Sequence, residues 1–404
     1  MRVLFIANTF PSPDKMNAGA FNLRGVQNLL QRGVDVEVVH FRSWSPGRDS
    51  VTDYDVDGVR VTSVALPYYV KLSPRFIALN IALYKILFER IFRGRFLGKI
   101  DLIHSVGASH AGVISGFIAA KFGLPHIAQC IGTDVNVNLP QLSGYAGVRG
   151  WDKGVDHFVG NSGELRDNIH KLYPHKPATV IYRGVNLKEF QPAETTSSAE
   201  IMVTYLGGLS PKETKPFGID QKGGVTLLNA WQLFKKKNPG SSAQLNFCGP
   251  NINEAAVTAI IGRHPSDINI NVIGHVDRKK VAALLQQSHI VILPSMFEGL
   301  PNVAMEAAAS GAALIGTRVG GIPEVIKDGF NGYLVERRNA QQIADRLQDL
   351  VDSPERLRSF RKQGRQYMEE KFDSSQFADG YLSLYNEVIS KYNERKGLPV
   401  YDHS

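Results

Sequence analysis

Two glutamates stand eight residues apart in the segment Ser295-Met296-Phe297-Glu298-Gly299-Leu300-Pro301-Asn302-Val303-Ala304-Met305-Glu306, which directly follows the apolar run Ile290 to Pro294. The order reads as buried strand, glycine-bearing loop and helix, with Pro301 suited to the first helical turn and Val303 to Ala309 good helix formers. Gly299 and Leu300 then offer backbone N–H groups at a helix N-terminus, where partial positive charge attracts phosphate. Glu306, in the second turn, is placed to accept from both hydroxyls of a ribose. Two glutamates at this spacing occur by chance in almost any helix-rich chain, so the position after a strand is what gives the pair weight. Gly19 forms a second candidate. It ends the loop after Arg2 to Ala7 and opens a helix with Leu23, Val26, Leu29 and Leu30, closed by Gly33. That place suits a backbone contact with a diphosphate, and a plain helix start explains it nearly as well.

The elements that must position these residues are readable along the chain. Short β-branched runs alternate with helical periodicity at Arg2 to Ala7, Asp35 to Phe41, Asp101 to Val106, His126 to Cys130, His157 to Val159 and Ala178 to Tyr182. The rhythm restarts at Ile201 to Leu206 and runs through Ala243 to Cys248, Ile270 to Ile273, Ile290 to Pro294, Ala312 to Ile315 and Gly332 to Val335. This predicts an α/β chain with two doubly wound, Rossmann-like parallel sheets. Residues 1–186 form the first domain, 187–200 a polar linker without apolar period, and 201–373 the second domain. Residues 374–404 hold Phe377, Tyr381, Leu384, Tyr385 and Val388 at helical spacing, and this tail helix is expected to pack across the domain junction. Ligands bind beyond the carboxyl ends of parallel strands, so two such domains facing one another are expected to enclose a ligand in a cleft.

With these segments in place, the chain resembles the family-4 retaining glycosyltransferases of the GT-B fold, whose signature is the E-x7-E segment. Gly311, Gly320, Gly321, Ile322, Pro323, Glu324, Asp328, Gly329 and Gly332 continue the same family pattern. Tight turns account for most of those glycines. The resemblance implies a nucleotide-sugar donor on the C-terminal domain and the acceptor on the N-terminal one. It places Glu298 and the Gly299 and Leu300 amides on the donor sugar and Glu306 on the ribose, and it extends the donor-binding set to Gly19, Gly208, Val276 and Asn302. Family members also carry a Gly-Arg strand end and a nearby Lys-Gly, two cations for the leaving diphosphate. Here Gly208 occupies the arginine position and Lys222-Gly223 follows an enlarged loop, in which Lys212 or Lys215 could supply the missing charge. In Ile131-Gly132-Thr133-Asp134 the family's histidine is replaced by Ile131, while Asp134 is expected to line the cleft and joins Glu298 and Lys222 as a catalytic candidate. Arg183-Gly184-Val185-Asn186 resembles the family's N-G-V-D turn and Asn161-Ser162 its helix cap, both read as structure. His104 and His110 are read as satisfied structural histidines.

The implied activity is transfer of a sugar, with retention, from a nucleotide diphosphate sugar to a hydroxyl of a glycan or lipid-linked acceptor, in cell-surface polysaccharide or glycolipid synthesis. A UDP-sugar is the first expectation for the donor, with no cofactor. A nucleotide-sugar epimerase and a non-catalytic nucleotide-sugar-binding protein are the rival readings. The intact Glu298/Glu306 segment argues against the second.

Asp53-Tyr54-Asp55 has the D-x-D spacing of some metal sites, but Asp57-Gly58 followed by Val59, Val61 and Val64 reads as a hairpin, so no metal is expected. The net charge of +8 favours phosphate-bearing or polyanionic partners. No nucleic-acid module is recognisable, and nucleic acid is set aside. Two cysteines, Cys130 and Cys248, lie in apolar runs and read as buried thiols. Residues 68–100 hold seven basic and one acidic residue among aromatic and aliphatic ones, which suits either an anionic membrane surface or a domain helix with a Lys85/Glu89/Arg93 stripe. No signal peptide or membrane span is apparent, so the expected location is the cytoplasm, with peripheral attachment to the inner face of the plasma membrane.

Overall fold

The computed structural model describes residues 1–16, 18–43, 49–66, 74–142, 144–145, 147–193, 200–209 and 220–397. It divides into two compact units, Met1–Arg183 with Ser375–Ser404, and Gly184–Ser374.

The first unit is built on eight strands: β1 (Arg2–Ala7), β2 (Asp35–Ser43), β3 (Val51–Val56), β4 (Val59–Leu66), β5 (Leu102–Val106), β6 (His126–Cys130), β7 (His157–Gly160) and β8 (Ala178–Val180). Their order is β3-β4-β2-β1-β5-β6-β7-β8, and only β3 and β4 pair antiparallel. That hairpin turns on Asp57 and Gly58, both at positive φ as a type I′ turn requires, which accounts for the D-x-D spacing. Asp53 there accepts from Arg95 at 2.7 Å. The helices are α1 (Ala20–Gln31), α2 (Pro74–Arg95), α3 (His110–Phe122), α4 (Leu139–Leu142) and α5 (Gly163–Leu172). Every residue of β5 and β6 is buried, as central strands covered on both faces must be.

The second unit orders its strands β11-β10-β9-β12-β13-β14, all parallel. These are β9 (Met202–Leu206), β10 (Gln244–Cys248), β11 (Ile270–Gly274), β12 (Ile290–Leu293), β13 (Ala313–Thr317) and β14 (Gly332–Val335). They alternate with α6 (Gly224–Lys237), α7 (Glu254–Ile261), α8 (Arg278–Gln286), α9 (Asn302–Ala309) and α10 (Ile322–Val325), and α11 (Ala340–Asp352) and α12 (Pro354–Lys371) close the unit. Both sheets are doubly wound. The strand order reverses between β1 and β5 in one and between β9 and β12 in the other, the places where open α/β sheets bind ligands.

The final helix, α13 (Ser375–Lys396), belongs to the first unit. Its Phe377, Tyr381, Leu384, Tyr385 and Val388 join Val3, Phe5, Leu23, Val26 and Leu29 in one apolar core. The helical period of the tail was therefore a core stripe of the N-terminal unit. The expected linker is also partly structural: Phe190 is buried and its carbonyl accepts from Arg365 at 2.7 Å within the second unit. Residues 194–199 lie outside the described part.

Two buried histidines hold β5 and β6. His126 Nδ1–H donates to the Gly154 carbonyl and its Nε2 accepts from Ser105 at 2.8 Å, while His104 is bonded by Tyr385 at 2.6 Å and Gln129 at 3.2 Å. Burial pushes both imidazoles down to about 3, from an ordinary value near 6.5. Between those values the unfolded chain binds protons that the folded chain excludes, so stability falls as pH drops below 6.5. His104→Gln is expected to remove about 1 kcal/mol per pH unit from the acid slope of unfolding free energy between pH 6 and 5. Urea unfolding at stepped pH measures this, and an unchanged slope would contradict it.

Candidate active site

The loops after β9 and β12 carry the residues singled out in the second half of the chain. Gly207 and Gly208 make the turn after β9. Gly208 has φ +97°, and a Cβ there would stand 2.9 Å from the Pro250 carbonyl oxygen. An arginine cannot occupy this backbone without rearrangement, which explains its absence in physical terms. Tyr205 locks the turn, its hydroxyl donating to the Gly208 carbonyl at 2.8 Å, with the Lys222 carbonyl at 3.2 Å. Asp220, at φ +71°, accepts from the Val225 and Thr226 N–H groups and so caps α6. At Gly223 a Cβ would meet the Pro294 carbonyl oxygen at 1.9 Å. Lys222 is thereby held against the end of β12.

There Lys222 Nζ meets Glu298 Oε1 at 2.6 Å, and Ser295 Oγ donates to the same oxygen at 2.9 Å. The Glu298 side chain is 14% exposed and that of Lys222 40%. An ion pair so open to water is worth only about 1 kcal/mol, and the lysine can leave it for a stronger anion. Gly320 and Gly321 press on the glutamate loop from the other side. A Cβ at Gly320 would lie 1.8 Å from the Glu298 carbonyl oxygen, and Gly321 N–H donates to the Gly299 carbonyl at 2.6 Å. These two glycines serve close backbone approach as well as a turn.

Pro301 stands one step before the position expected of it. It is the N-cap of α9, with ψ 116°, so the helix opens at Asn302 and the N–H groups of Asn302 and Val303 are the ones left at its positive end. Both residues, with Leu300, Lys222, Ser295, Glu298 and Gly207, line a cavity of about 290 Å³. The other end of α9 is capped by guanidinium groups from α12, with Arg365 on the Ala309 carbonyl at 2.8 Å and Arg361 on that of Gly311 at 2.6 Å.

Glu306 lies inward on α9, its side chain 8% exposed and paired with Arg278 Nη1 at 2.8 Å. Arg278 opens α8, two residues after Val276, which is partly buried after β11. Its guanidinium also faces the Phe190 ring at 5.2 Å and Glu189 at 3.9 Å. Any ribose at Glu306 must share that carboxylate with Arg278.

Gly19 and Asp134 belong to the first unit. Gly19 is the N-cap of α1 at φ +71°, and a Cβ there would stand 2.5 Å from the Thr9 carbonyl oxygen, so the site demands glycine. Asp134 is buried, with Oδ2 accepting from Ala108 N–H at 2.7 Å and Oδ1 from Gly132 N–H at 2.7 Å and Ile131 N–H at 3.1 Å. Burial pushes this carboxyl up and the backbone donors oppose the rise. Both oxygens accept from backbone N–H groups, so this carboxylate holds the loop after β6 in shape. Lys212 and Lys215 lie outside the described residues. Tyr205, Asp220 and Arg278 were missed, because a lone tyrosine, a loop aspartate and a helix-opening arginine carry no spacing signal.

A helix N-terminus, a buried carboxylate and a Lys–Glu pair thus meet at the sheet's switch point, where the family resemblance places the donor. Residues 21–189 match the model of glycosyltransferase family 4 and residues 219–367 that of the glycosyl transferases group 1, and the chain belongs to the family-4 glycosyltransferases of the GT-B fold. It is 24% identical to the D-inositol 3-phosphate glycosyltransferase of Rhodococcus erythropolis, over 95% of this chain and 90% of that one. It is 38% identical over 262 residues to N-acetyl-alpha-D-glucosaminyl L-malate synthase of Bacillus anthracis, 64% of this chain and 66% of the relative. Sucrose-phosphate synthase from Thermosynechococcus elongatus shares the fold, with a TM-score of 0.71 at 19% identity over 97% of this chain and 100% of that one.

Glu306→Ala is expected to weaken nucleotide binding roughly tenfold or more, the loss of a charge-assisted hydrogen bond. Glu298→Ala should leave binding within about threefold and lower turnover by about a hundredfold, since sugar orientation matters most in the transition state. Calorimetry with kinetics on both variants checks this. Equal losses of affinity would contradict the division of roles.

Proposed function

We propose that this glycosyltransferase moves a sugar from a nucleoside diphosphate donor, a UDP-sugar in the first instance, to a hydroxyl of a glycan or lipid-linked acceptor, with retention, in cell-surface polysaccharide or glycolipid synthesis. The observation that carries the reading is the Lys222–Glu298 pair beside the open end of α9, with Glu306 on the same helix. When the donor binds, Lys222 exchanges Glu298 for the diphosphate, and the freed carboxylate accepts from a sugar hydroxyl. The anomeric C–O bond to the diphosphate breaks as the acceptor oxygen attacks from the same face, and the departing phosphate oxygen takes the acceptor's proton. Lys222 and the Asn302 and Val303 N–H groups stabilise the charge that develops there. Transfer on this route is metal-independent. Retention rests on the family resemblance. Two relatives are named for D-inositol 3-phosphate and for L-malate, hydroxyl compounds that carry an anionic group, which supports an acceptor of that kind here.

A membrane-facing role finds support on α2. Tyr84, Phe88 and Phe92 are buried in the sheet's core, while Leu83, Ile86 and Leu87 are exposed beside the exposed Arg90 and Arg93. Glu89 is bonded by Arg93 at 3.1 Å and by Lys121 of α3 at 2.7 Å, while Lys85 lies over the Phe117 ring, so only the Glu89–Arg93 part of the expected stripe is paired. We read the outer stripe as a contact with anionic lipid on the inner face of the plasma membrane. Residues 68–73 of that segment lie outside the described part, and among the described residues no helix is long and apolar enough to cross a membrane.

Both readings meet in one experiment. The chain is incubated in excess EDTA with a panel of nucleotide sugars and crude glycolipid acceptor, on neutral or anionic vesicles. Released nucleoside diphosphate with a glycosylated product, faster on anionic vesicles in a salt-sensitive way, is the expected result. A rearranged sugar without release would indicate an epimerase, and binding alone a non-catalytic protein. Activity restored only by a divalent metal would overturn metal independence, and equal pelleting with both lipids would overturn the membrane contact.

A further inference from the structure

The second unit has another cavity, at the amino end of β11 and so on the sheet edge opposite the Lys222–Glu298 pair. It measures about 810 Å³ and stands between the C-terminal half of α6 and residues 263–269. Asn229, Gln232, Leu233 and Lys236 line it at i, i+3, i+4 and i+7, which is one face of α6. The two walls are tied together. Trp231 Nε1–H donates to the Ile268 carbonyl at 2.7 Å, and Gln232 Nε2–H to the Ile261 carbonyl at 2.8 Å. Lys235 also lines the cavity and is only 7% exposed. Its Nζ donates to the Ser241 carbonyl at 2.6 Å, and among the described residues no carboxylate pairs with it. An ammonium has three N–H donors, and a buried charge is ordinarily paired. Burial without a counter-ion lowers the pKa of this lysine. At the rim Lys236, Arg263 and Asp267 are exposed, and among the described residues none of these side chains is paired or hydrogen-bonded. Three amides complete the lining. The Gln232 and Asn269 nitrogens are spent on backbone carbonyls, which leaves their oxygens, and the Asn229 side chain has no partner among the described residues.

We propose that this cavity binds a short acidic oligosaccharide, whose carboxylates meet Lys235, Lys236 and Arg263 and whose hydroxyls meet the amides of Asn229, Gln232 and Asn269. Its volume lies within the range of ligand pockets, about 300–1,000 Å³. Amide side chains carry both donors and acceptors and so match the neighbouring hydroxyls of a sugar ring. Leu233, Pro239 and Ile268 give the ring's C–H face an apolar floor. No aromatic side chain lines the cavity, so the stacking platform that a nucleobase needs is missing. The exposed cations come from both walls, Lys236 from α6 and Arg263 from the end of α7, and Asp267 stands among them. Single charges spaced along a chain fit that arrangement better than one dense phosphate, and Arg263 can take a carboxylate through two parallel bonds. A glycan held here is anchored on the side of the unit away from the donor. That use rests on the transfer reading, whereas the binding does not.

Calorimetry of the full chain with trigalacturonate, maltotriose and inorganic phosphate tests the site. Trigalacturonate should bind about tenfold or more tighter than either of the others, since only it offers both carboxylates and sugar hydroxyls. The double variant Lys236→Ala/Arg263→Ala should weaken trigalacturonate about tenfold or more and leave UDP affinity within about twofold, because the two sites lie on opposite edges of the sheet. Lys235→Met should weaken it as well. Should that variant fail to fold, the exposed pair decides, because neither of its side chains supports the core. Trigalacturonate should also slow hydrogen exchange in the peptide covering residues 262–269. Four results would each overturn the proposal: no binding of trigalacturonate to the intact chain, affinity within about twofold of the parent in the double variant, equal affinity for maltotriose or phosphate, or no protection of that peptide. If UDP does not bind and no nucleotide sugar is turned over, the transfer reading fails and the trigalacturonate result stands or falls by itself.

Discussion

The Lys222–Glu298 contact depends on two backbone approaches that only glycine permits. Gly223 lies so close to the Pro294 carbonyl, and Gly320 so close to the Glu298 carbonyl, that a single methyl group at either would force the loops apart. Tyr205 and Asp220 then fix the segment between β9 and α6 from within. The pair is thus positioned by backbone crowding on both sides, and its own modest electrostatic energy is not what assembles the site. The same crowding at Gly208 excludes the arginine that the family resemblance leads one to expect. At this position a backbone constraint separates the chain from its family pattern.

Charge is arranged differently in the two units. In the second, the two signature glutamates each have a cation at hydrogen-bond distance, Lys222 on Glu298 and Arg278 on Glu306, and both cations are partly exposed. In the first, Asp134 is saturated by backbone donors and Arg183 is left with an unsatisfied nitrogen. Leaving a buried donor unmet costs about 1–3 kcal/mol.

The sheet architecture was readable because buried parallel strands are short apolar runs and the helices between them keep their period. Ile290 to Pro294, Ala243 to Cys248 and Gly332 to Val335 fall within a residue or two of the strands they became. The Glu298–Glu306 segment was readable for the same reason, being strand, loop and helix in one stretch. Long-range packing was not. Nothing in the spacing of Phe377, Tyr381 and Tyr385 says that they cover Phe5 and Leu23 rather than a junction, because periodicity reports a buried face and not its partner. Arg278 and Glu306 are likewise brought together by α8 packing on α9, and a sequence does not reveal which carboxylates, Asp134 among them, the backbone will engage.

On the proposed function, Lys222 takes the β-phosphate of a nucleoside diphosphate. Calorimetry with UDP and UMP, on the intact chain and on Lys222→Met, tests this. The intact chain is expected to prefer UDP by about tenfold or more, and Lys222→Met to bring the two ligands within about threefold, because the extra phosphate loses its charge-assisted bond. Equal affinity of the intact chain for UDP and UMP, or a preference that survives the substitution, would contradict it.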